Sequence, residues 1–341
     1  MTKRAFLGLA LLAAATCLSP AAGAAPANPA RVVLAVDGTG ETRNLPVLLA
    51  ERLGYFRDEG LIVTLVDSPA EPSPAELMKD GRADGAVAFY HHTFMSQVDD
   101  HMTTQAVVAM GMTPALKLMV AERLRGKVKT LADLKGLRIY AGGPNSGKTT
   151  TANWLVIHGG ATIADYTRLA NVERDAMAEA LRAGKADAVV SHQPDADFYE
   201  ATGVAFTLAD IASVEGTKQA LGSVFPSTTL YMPSAYIAAH PQTVQHLVNA
   251  CLKALVYLNA HTPAEIAAAL PPKMVGKDRA AYVRLLSEDK QMFASDGVMP
   301  AAAAQAEWTT MTAQLPKYAA VRLAETYTNS FVEHARPANP R

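Results

Sequence analysis

The 341-residue chain has only two cysteines and two tryptophans, 6% of its residues are aromatic, and 31 basic residues nearly cancel 32 acidic ones. Cys17 falls in a segment read below as cleaved, which leaves Cys251 alone. No intrachain disulfide is then expected even in an oxidising compartment, and no cysteine metal site can be assembled. Cys251 sits in a helical stretch and reads as a small buried hydrophobe. The balanced charge, 29 basic against 32 acidic without Lys3 and Arg4, argues against a nucleic-acid role driven by bulk charge. There is no G-x-S-x-G nucleophile elbow. His91, His92, His101 and His192 match no compact metal-ligand spacing, so neither metal nor cofactor is expected. Beyond residue 24 no apolar run approaches the roughly 20 residues of a membrane span.

What is present is a large apolar fraction, half of all residues. At roughly 100–200 residues per domain, that composition predicts two lobes with sizeable cores. At the N-terminus, Lys3 and Arg4 precede the apolar residues 5–18, and Ala22-Gly23-Ala24 supplies a small-x-small cleavage pattern. Residues 1–24 therefore read as an export signal, with the mature chain starting near Ala25 in the periplasm. Ala14-Ala15-Thr16 before Cys17 departs from a lipobox, which favours soluble secretion over lipid anchoring.

Residues 31–66 read as strand, polar loop, helix, turn, strand. The run 31–36 is β-branched, the loop 37–43 carries two glycines, and Asn44 precedes a helix with Pro46 in its first turn. Leu45, Leu48, Leu49, Leu53 and Phe56 recur at helical spacing, Gly60 ends the helix, and 61–66 restarts a strand. In open α/β sheets such strand-end loops bind ligands. A helix from about 75–80 and a buried strand at 86–90 follow, then strands at 106–111 and 117–120. A second series starts at 137–141 and continues through helices at 149–158 and 174–183 and a strand at 188–190. Both series contain G-[RK]-A-D-x-x-V, as Gly81-Arg82-Ala83-Asp84 and Gly184-Lys185-Ala186-Asp187. Crossings between lobes are placed near 111–114 and 224–231. The remainder is mainly helical, with a tail at 336–341 expected to fray.

The run PVLLAERLGYFRDEGLIVTLV resembles the opening of the nitrate, sulfonate, taurine and thiamine-precursor family of substrate-binding proteins that feed ABC importers. ADGAVAFYHH, LADLKGLRIYAGGPNSGKTT and the stretch from YMPSAYIAAHPQ to AAALP resemble later landmarks of that family in the same order. The resemblance implies an α/β, two-lobed, type II periplasmic-binding-protein fold hinged between the lobes. Lobe 1 would comprise 25–112 and 225–341, and lobe 2 would comprise 113–224. It also implies that the segment between strand and helix in lobe 2 contacts the ligand.

That segment, Gly142-Gly143-Pro144-Asn145-Ser146-Gly147-Lys148-Thr149, satisfies the phosphate-loop pattern G-x-x-x-x-G-K-[ST]. Export to a place with little nucleotide, and the lack of a later strand ending in a metal-holding acid, argue against hydrolysis. Leu208-Ala209-Asp210 is the nearest candidate for such a strand. The physics beneath the pattern is an anion site: unpaired N–H groups at a helix start, with Lys148 adding a full charge. A solvent-facing cap is the bland alternative. His91 and His92 follow the strand at 86–90, and His192 and Gln193 hold the matching place in the other lobe. Ser227 and Thr228 read as hydroxyl donors on a crossing strand. In the first loop Thr39 and Asn44 are candidate donors, whereas Asp37 and Glu41 would repel an anion or pair with a ligand amine.

The expected function is capture of a small organic anion, sulfonate- or carboxylate-like, and its delivery to an ABC permease by a monomer without catalysis. A pyrimidine thiamine precursor is the rival ligand, and a pyrimidine synthase or nucleotide hydrolase the rival class. The candidate site is Thr39, Asn44, Tyr90, His91, His92, Met112, Asn145, Ser146, Gly147, Lys148, Thr149, His192, Gln193, Ser227 and Thr228.

Overall fold

The computed structural model describes residues 29–69, 72–144, 146–170, 172–192 and 195–335. The proposed signal segment, Asn145, Gln193 and the tail 336–341 lie outside these residues. Among the described residues ten strands form two five-stranded sheets. The first contains β1 (Ala30–Val36), β2 (Leu61–Asp67), β3 (Gly85–Ala88), β4 (Thr104–Gly111) and β10 (Thr228–Pro233), ordered β2-β1-β3-β10-β4. The second contains β5 (Leu116–Ala121), β6 (Arg138–Tyr140), β7 (Thr167–Leu169), β8 (Ala188–Ser191) and β9 (Ala205–Ile211), ordered β7-β6-β8-β5-β9. In each sheet three strands run parallel, β2-β1-β3 and β7-β6-β8. A strand arriving from the other lobe, β10 or β5, lies antiparallel between the third and the outer strand. The chain thus passes between sheets twice, and the two-lobed α/β fold is the one expected.

Continuous apolar strands are required because both faces of the sheets are covered. In the second lobe Leu118, Val120 and Val190 enter one apolar cluster, while Met119, Ala121 and Val189 enter the cluster on the opposite face. The two-residue period of a strand produces this split directly. In the first lobe, α1 (Leu45–Arg52) buries Leu45, Leu48 and Leu49, each contributing about 1.5–3 kcal/mol by removal from water. Later in the chain come α2 (His92–Val98), α3 (Gly147–His158), α4 (Pro241–Ala260) and α5 (Ala301–Gln314). α4 follows the return of the chain to the first lobe at β10 and packs on α1. The second of the two acidic residues in the GYFRDEG turn has a clear task there. Glu59 accepts hydrogen bonds from His246 Nδ1 (2.8 Å), Asn249 Nδ2 (3.1 Å) and Lys253 Nζ (2.7 Å), all on α4. Burial alone would raise its carboxyl, but these bonds outweigh burial and hold it below its ordinary value. Cys251 is buried in the same helix, and burial pushes its thiol up to about 12.

The two G-[RK]-A-D turns fold alike. Gly81 and Gly184 take φ of 68° and 69°, a left-handed conformation that glycine adopts without a Cβ penalty. The next two N–H groups fold back onto Leu77 O in one lobe and Ala180 O in the other. Asp84 Oδ2 then accepts the Val33 N–H at 2.8 Å, and Asp187 Oδ2 accepts the Arg138 N–H at 3.0 Å. Each aspartate locks the first strand of its lobe to the third. The sequence repeat is therefore a structural repeat. It aims the C-terminal ends of β1, β3, β6 and β8 into the groove between the sheets.

Candidate functional site

These strand ends line a cavity of about 570 Å³ between the lobes. Lobe 1 contributes Asp37, Arg43, Phe89 and His92, and lobe 2 contributes Leu116, Ser146, Gly147, Lys148 and His192. The loop after β1 is closed by Asn44, whose Nδ2 donates to Asp37 O and Gly38 O, both at 2.8 Å. Arg43 stands beside it, 8% exposed. Its Nη2 donates to Asp37 O (2.7 Å) and Asp37 Oδ2 (3.1 Å), Nη1 pairs with Glu41 Oε2 (3.1 Å), and Nε is buried without a partner among the described residues. Asp37 and Glu41 both pair with Arg43, and the three side chains together carry a net charge of −1.

Across the cleft, Ser146 caps α3. Its Oγ accepts the Thr149 N–H at 3.2 Å, and the Thr149 hydroxyl donates to Ala141 O (2.8 Å) and Gly143 O (2.6 Å). The N–H groups of Gly147 and Lys148 have no partner among the described residues, as the start of a helix dictates. Burial lowers the Lys148 ammonium below its ordinary value, while Asp195 and Glu41 act to raise it. Burial also lowers His92 and His192, each to about 3. His91, after burial, adds to the effect on His92, and Lys148 and Arg43 add to the effect on His192. His192 Nδ1 donates to Ala115 O at 2.9 Å, which leaves the neutral ring with Nε2 as an acceptor. The walls thus combine Arg43, Lys148, two neutral imidazoles and a helix start with the carboxylates of Asp37, Glu76, Asp99 and Asp100, and the part suited to an anion is the helix start beside Lys148.

A protein-family model described as NMT1/THI5 like matches residues 41–266. The chain belongs to this family. A search of curated proteins found no match. Among solved structures, a protein of Bordetella bronchiseptica RB50 is 28% identical with a TM-score of 0.74, covering 89% of this chain and 96% of that one. The alkanesulfonate-binding protein SsuA of Xanthomonas axonopodis pv. citri, bound to MOPS, is 20% identical with a TM-score of 0.64 over 89% and 100%. The periplasmic nitrate-binding protein NrtA of Synechocystis PCC 6803 is 11% identical with a TM-score of 0.62 over 89% and 88%. The desulfurization enzyme DSZB shares the fold as well, at 14% identity and a TM-score of 0.59 over 89% and 98%. The resemblance read from the sequence is upheld, and the fold recurs in binding proteins and in an enzyme.

In this NMT1/THI5-like chain the structure brings His92, Ser146, Gly147, Lys148 and His192 together around one cavity. It directs the other described candidates elsewhere. Thr39 offers its backbone N–H to Asp67 Oδ1 at 2.6 Å, outside the cavity lining. Asn44 is buried and spent on closing its loop. The Tyr90 hydroxyl meets Thr326 Oγ1 at 2.6 Å in the core. His91 Nδ1 lies 2.9 Å from Glu307 Oε1, both side chains 1% exposed, with Glu307 pushed well up by burial. His91 and Thr149 line a separate cavity of about 390 Å³ beside α3 and α5. Met112, Ser227 and Thr228 are buried where the chain crosses between sheets. The physical reason is common to them: position at a strand end places a residue in a loop, but tertiary partners such as Thr326 and Glu307, together with the local backbone, decide which way it faces. Asn145 and Gln193 lie outside the described residues.

Arg43, Phe89 and Leu116 line the cavity without having been named from the sequence. Arg43 sits in the loop already singled out, and a lone cation among Asp37 and Glu41 was the available signal. Nothing in the local sequence marks Phe89 or Leu116, which reach the site through tertiary packing. As for the phosphate-loop pattern, the Thr149 hydroxyl is committed to two carbonyls. Asp210 is exposed on β9, the outer strand of the sheet and antiparallel to β5. His91, His92, His101 and His192 form no group of metal-holding geometry among the described residues.

Proposed function

We propose that the protein is an extracytoplasmic solute-binding protein that captures a small organic anion in the cleft, closes over it and presents it to an ABC permease. The observation that carries this reading is that Arg43 and Lys148, from opposite lobes, face one cavity at an α3 start where the Gly147 and Lys148 N–H groups have no partner among the described residues. A cavity of about 570 Å³ suits an organic ligand better than a bare oxyanion. Apolar surface from Phe89 and Leu116 faces the same space, which fits a sulfonate or carboxylate carrying a carbon skeleton. The sulfonate-binding relative supports the same class. Capture needs only desolvation and pairing from both walls, and no nucleophile is required. Cys251, the only cysteine among the described residues, is buried in the core away from the cleft. Among the described residues no helix is long and apolar enough to cross a membrane. The proposed export signal would put the protein in the periplasm.

Thermal shift followed by calorimetry with alkanesulfonates, carboxylates, a pyrimidine and ATP with Mg²⁺ tests the reading. A ligand of the correct class raises the unfolding temperature because it binds only the folded state. Saturable binding of a sulfonate or carboxylate, without nucleotide binding or turnover, is the expected result. Stabilisation by ATP with Mg²⁺, or by the pyrimidine alone, would overturn it.

A further inference from the structure

Phe89 follows β3 of the first lobe, yet its ring packs in the second lobe's apolar cluster with Leu116, Trp154 and Phe225. It is 5% exposed. Its edge meets Phe225 at 6.0 Å between centroids, His91 stacks on it at 5.4 Å, and the Arg43 guanidinium carbon lies 5.0 Å from its centroid. Its tip rests on Gly147, the first residue of α3. A methyl group at Gly147 would lie 2.8 Å from Cζ and 2.9 Å from Cε2 of that ring. Such distances are well inside the roughly 3.5–4 Å optimum for carbon contacts. Phe225, His91 and the Arg43 guanidinium hold the ring on three sides, and its open side faces the cavity.

The backbone of Gly147 does not demand glycine. It is not among the residues with positive φ, and it opens a right-handed helix in which alanine is the better former. The missing side chain serves the contact with Phe89. That contact also lies at the pivot. Tyr90 N donates to Pro226 O at 3.2 Å, and Phe225 N donates to Met112 O at 2.9 Å, so both chain crossings adjoin Phe89. A small displacement here becomes a larger one at the cleft mouth.

We propose that the seating of Phe89 on Gly147 is the stop that fixes how closely the lobes approach, and thereby sets the spacing of Arg43 and Lys148 and the size of anion held between them. The inference about anion size rests on the cleft being an anion site; the stop itself does not. Phe89 acts as a positioning residue, since its face also supports the Arg43 guanidinium.

Gly147→Ala, Phe89→Leu and the double variant test this. Lobe separation is read without ligand by small-angle scattering and by spin labels on Glu51→Cys and Lys127→Cys, both exposed positions, with Cys251 buried and unlabelled. Gly147→Ala is expected to keep its circular dichroism and melting behaviour while the lobes move apart. Affinity for the probe 1-propanesulfonate should then fall at least ten-fold. Gly147→Ala with Phe89→Leu should return the lobes to the wild-type separation, because the smaller side chain makes room for the methyl. Wild-type separation in Gly147→Ala, or a double variant as open as Gly147→Ala, would overturn the proposal. Failure of the wild-type protein to bind 1-propanesulfonate would count against the anion reading and its consequence for anion size, while the separations alone would still decide on the stop.

Discussion

The two lobes repeat one backbone plan and differ in what they hang on it. After Gly81 and Gly184 the chain makes the same left-handed turn, and Asp84 and Asp187 accept the same strand N–H. From there the lobes diverge. Asp187 is also gripped by Arg123 at 2.5 Å and Arg138 at 2.8 Å, whereas no salt bridge holds Asp84 among the described residues. Burial would raise the Asp187 carboxyl, but the hydrogen bonds from Arg138 and Arg123 hold it at about 2. Beyond the strand ends, lobe 1 sends in Phe89 and His92 with Arg43 behind them, and lobe 2 sends in His192, Lys148 and a helix start. The repeat therefore supplies the frame, and chemistry resides in the loops, as fold-level reasoning anticipates.

The largest expected effect comes from breaking the difference between the two aspartates. Asp187→Ala leaves two partly exposed arginines and a strand N–H without their shared acceptor and should cost more in denaturant unfolding than Asp84→Ala. Asp84→Ala removes one backbone bond and should cost about 1–2 kcal/mol. Equal losses would show that the arginines add nothing. The pH dependence follows from the same pair of states. The folded carboxyl sits at about 2, below an unfolded value near 3.9. Its contribution is fully present above about pH 4 and fades as pH falls toward 2. Asp187→Asn should flatten that acid limb.

The next effect sharpens the division of the site between lobes. Lys148→Ala should weaken binding of the cognate anion by about 1.5–3 kcal/mol, ten-fold or more, with the fold intact. Unchanged affinity by calorimetry would remove the second lobe's charge from the account. The smallest effect is expected at Thr39, where only the backbone N–H is engaged. Thr39→Ala should change affinity by less than about 0.5 kcal/mol, and a ten-fold loss would mean that its hydroxyl reaches the ligand.

How much of this was readable in advance follows the range of the interactions. The opening series around α1, the paired G-[RK]-A-D turns and a helix start after the 142–148 loop were legible because each is decided within a few residues by periodicity and glycine, although the helix begins at Gly147 and not at 149. β7 and β9 were not: β7 has three residues, and β9 is partly exposed at a sheet edge, so neither gives a clean pattern. His92 and His192, singled out because strand ends mark loops, line the cavity. Tyr90 and His91 were assigned to the site for the same reason, but Thr326 and Glu307, more than 200 residues away, draw them into the core. Phe89 was missed because its partner Gly147 lies in the other lobe, a contact that no local pattern contains.

The most direct test of the central claim is a crystal structure of the protein with a bound organic sulfonate. The account predicts the sulfonate oxygens at the Gly147 and Lys148 N–H groups, with the Lys148 ammonium and the Arg43 guanidinium on opposite sides and the carbon skeleton against Phe89 and Leu116. A sulfonate seated instead in the cavity beside α3 and α5, away from both Arg43 and Lys148, would contradict it.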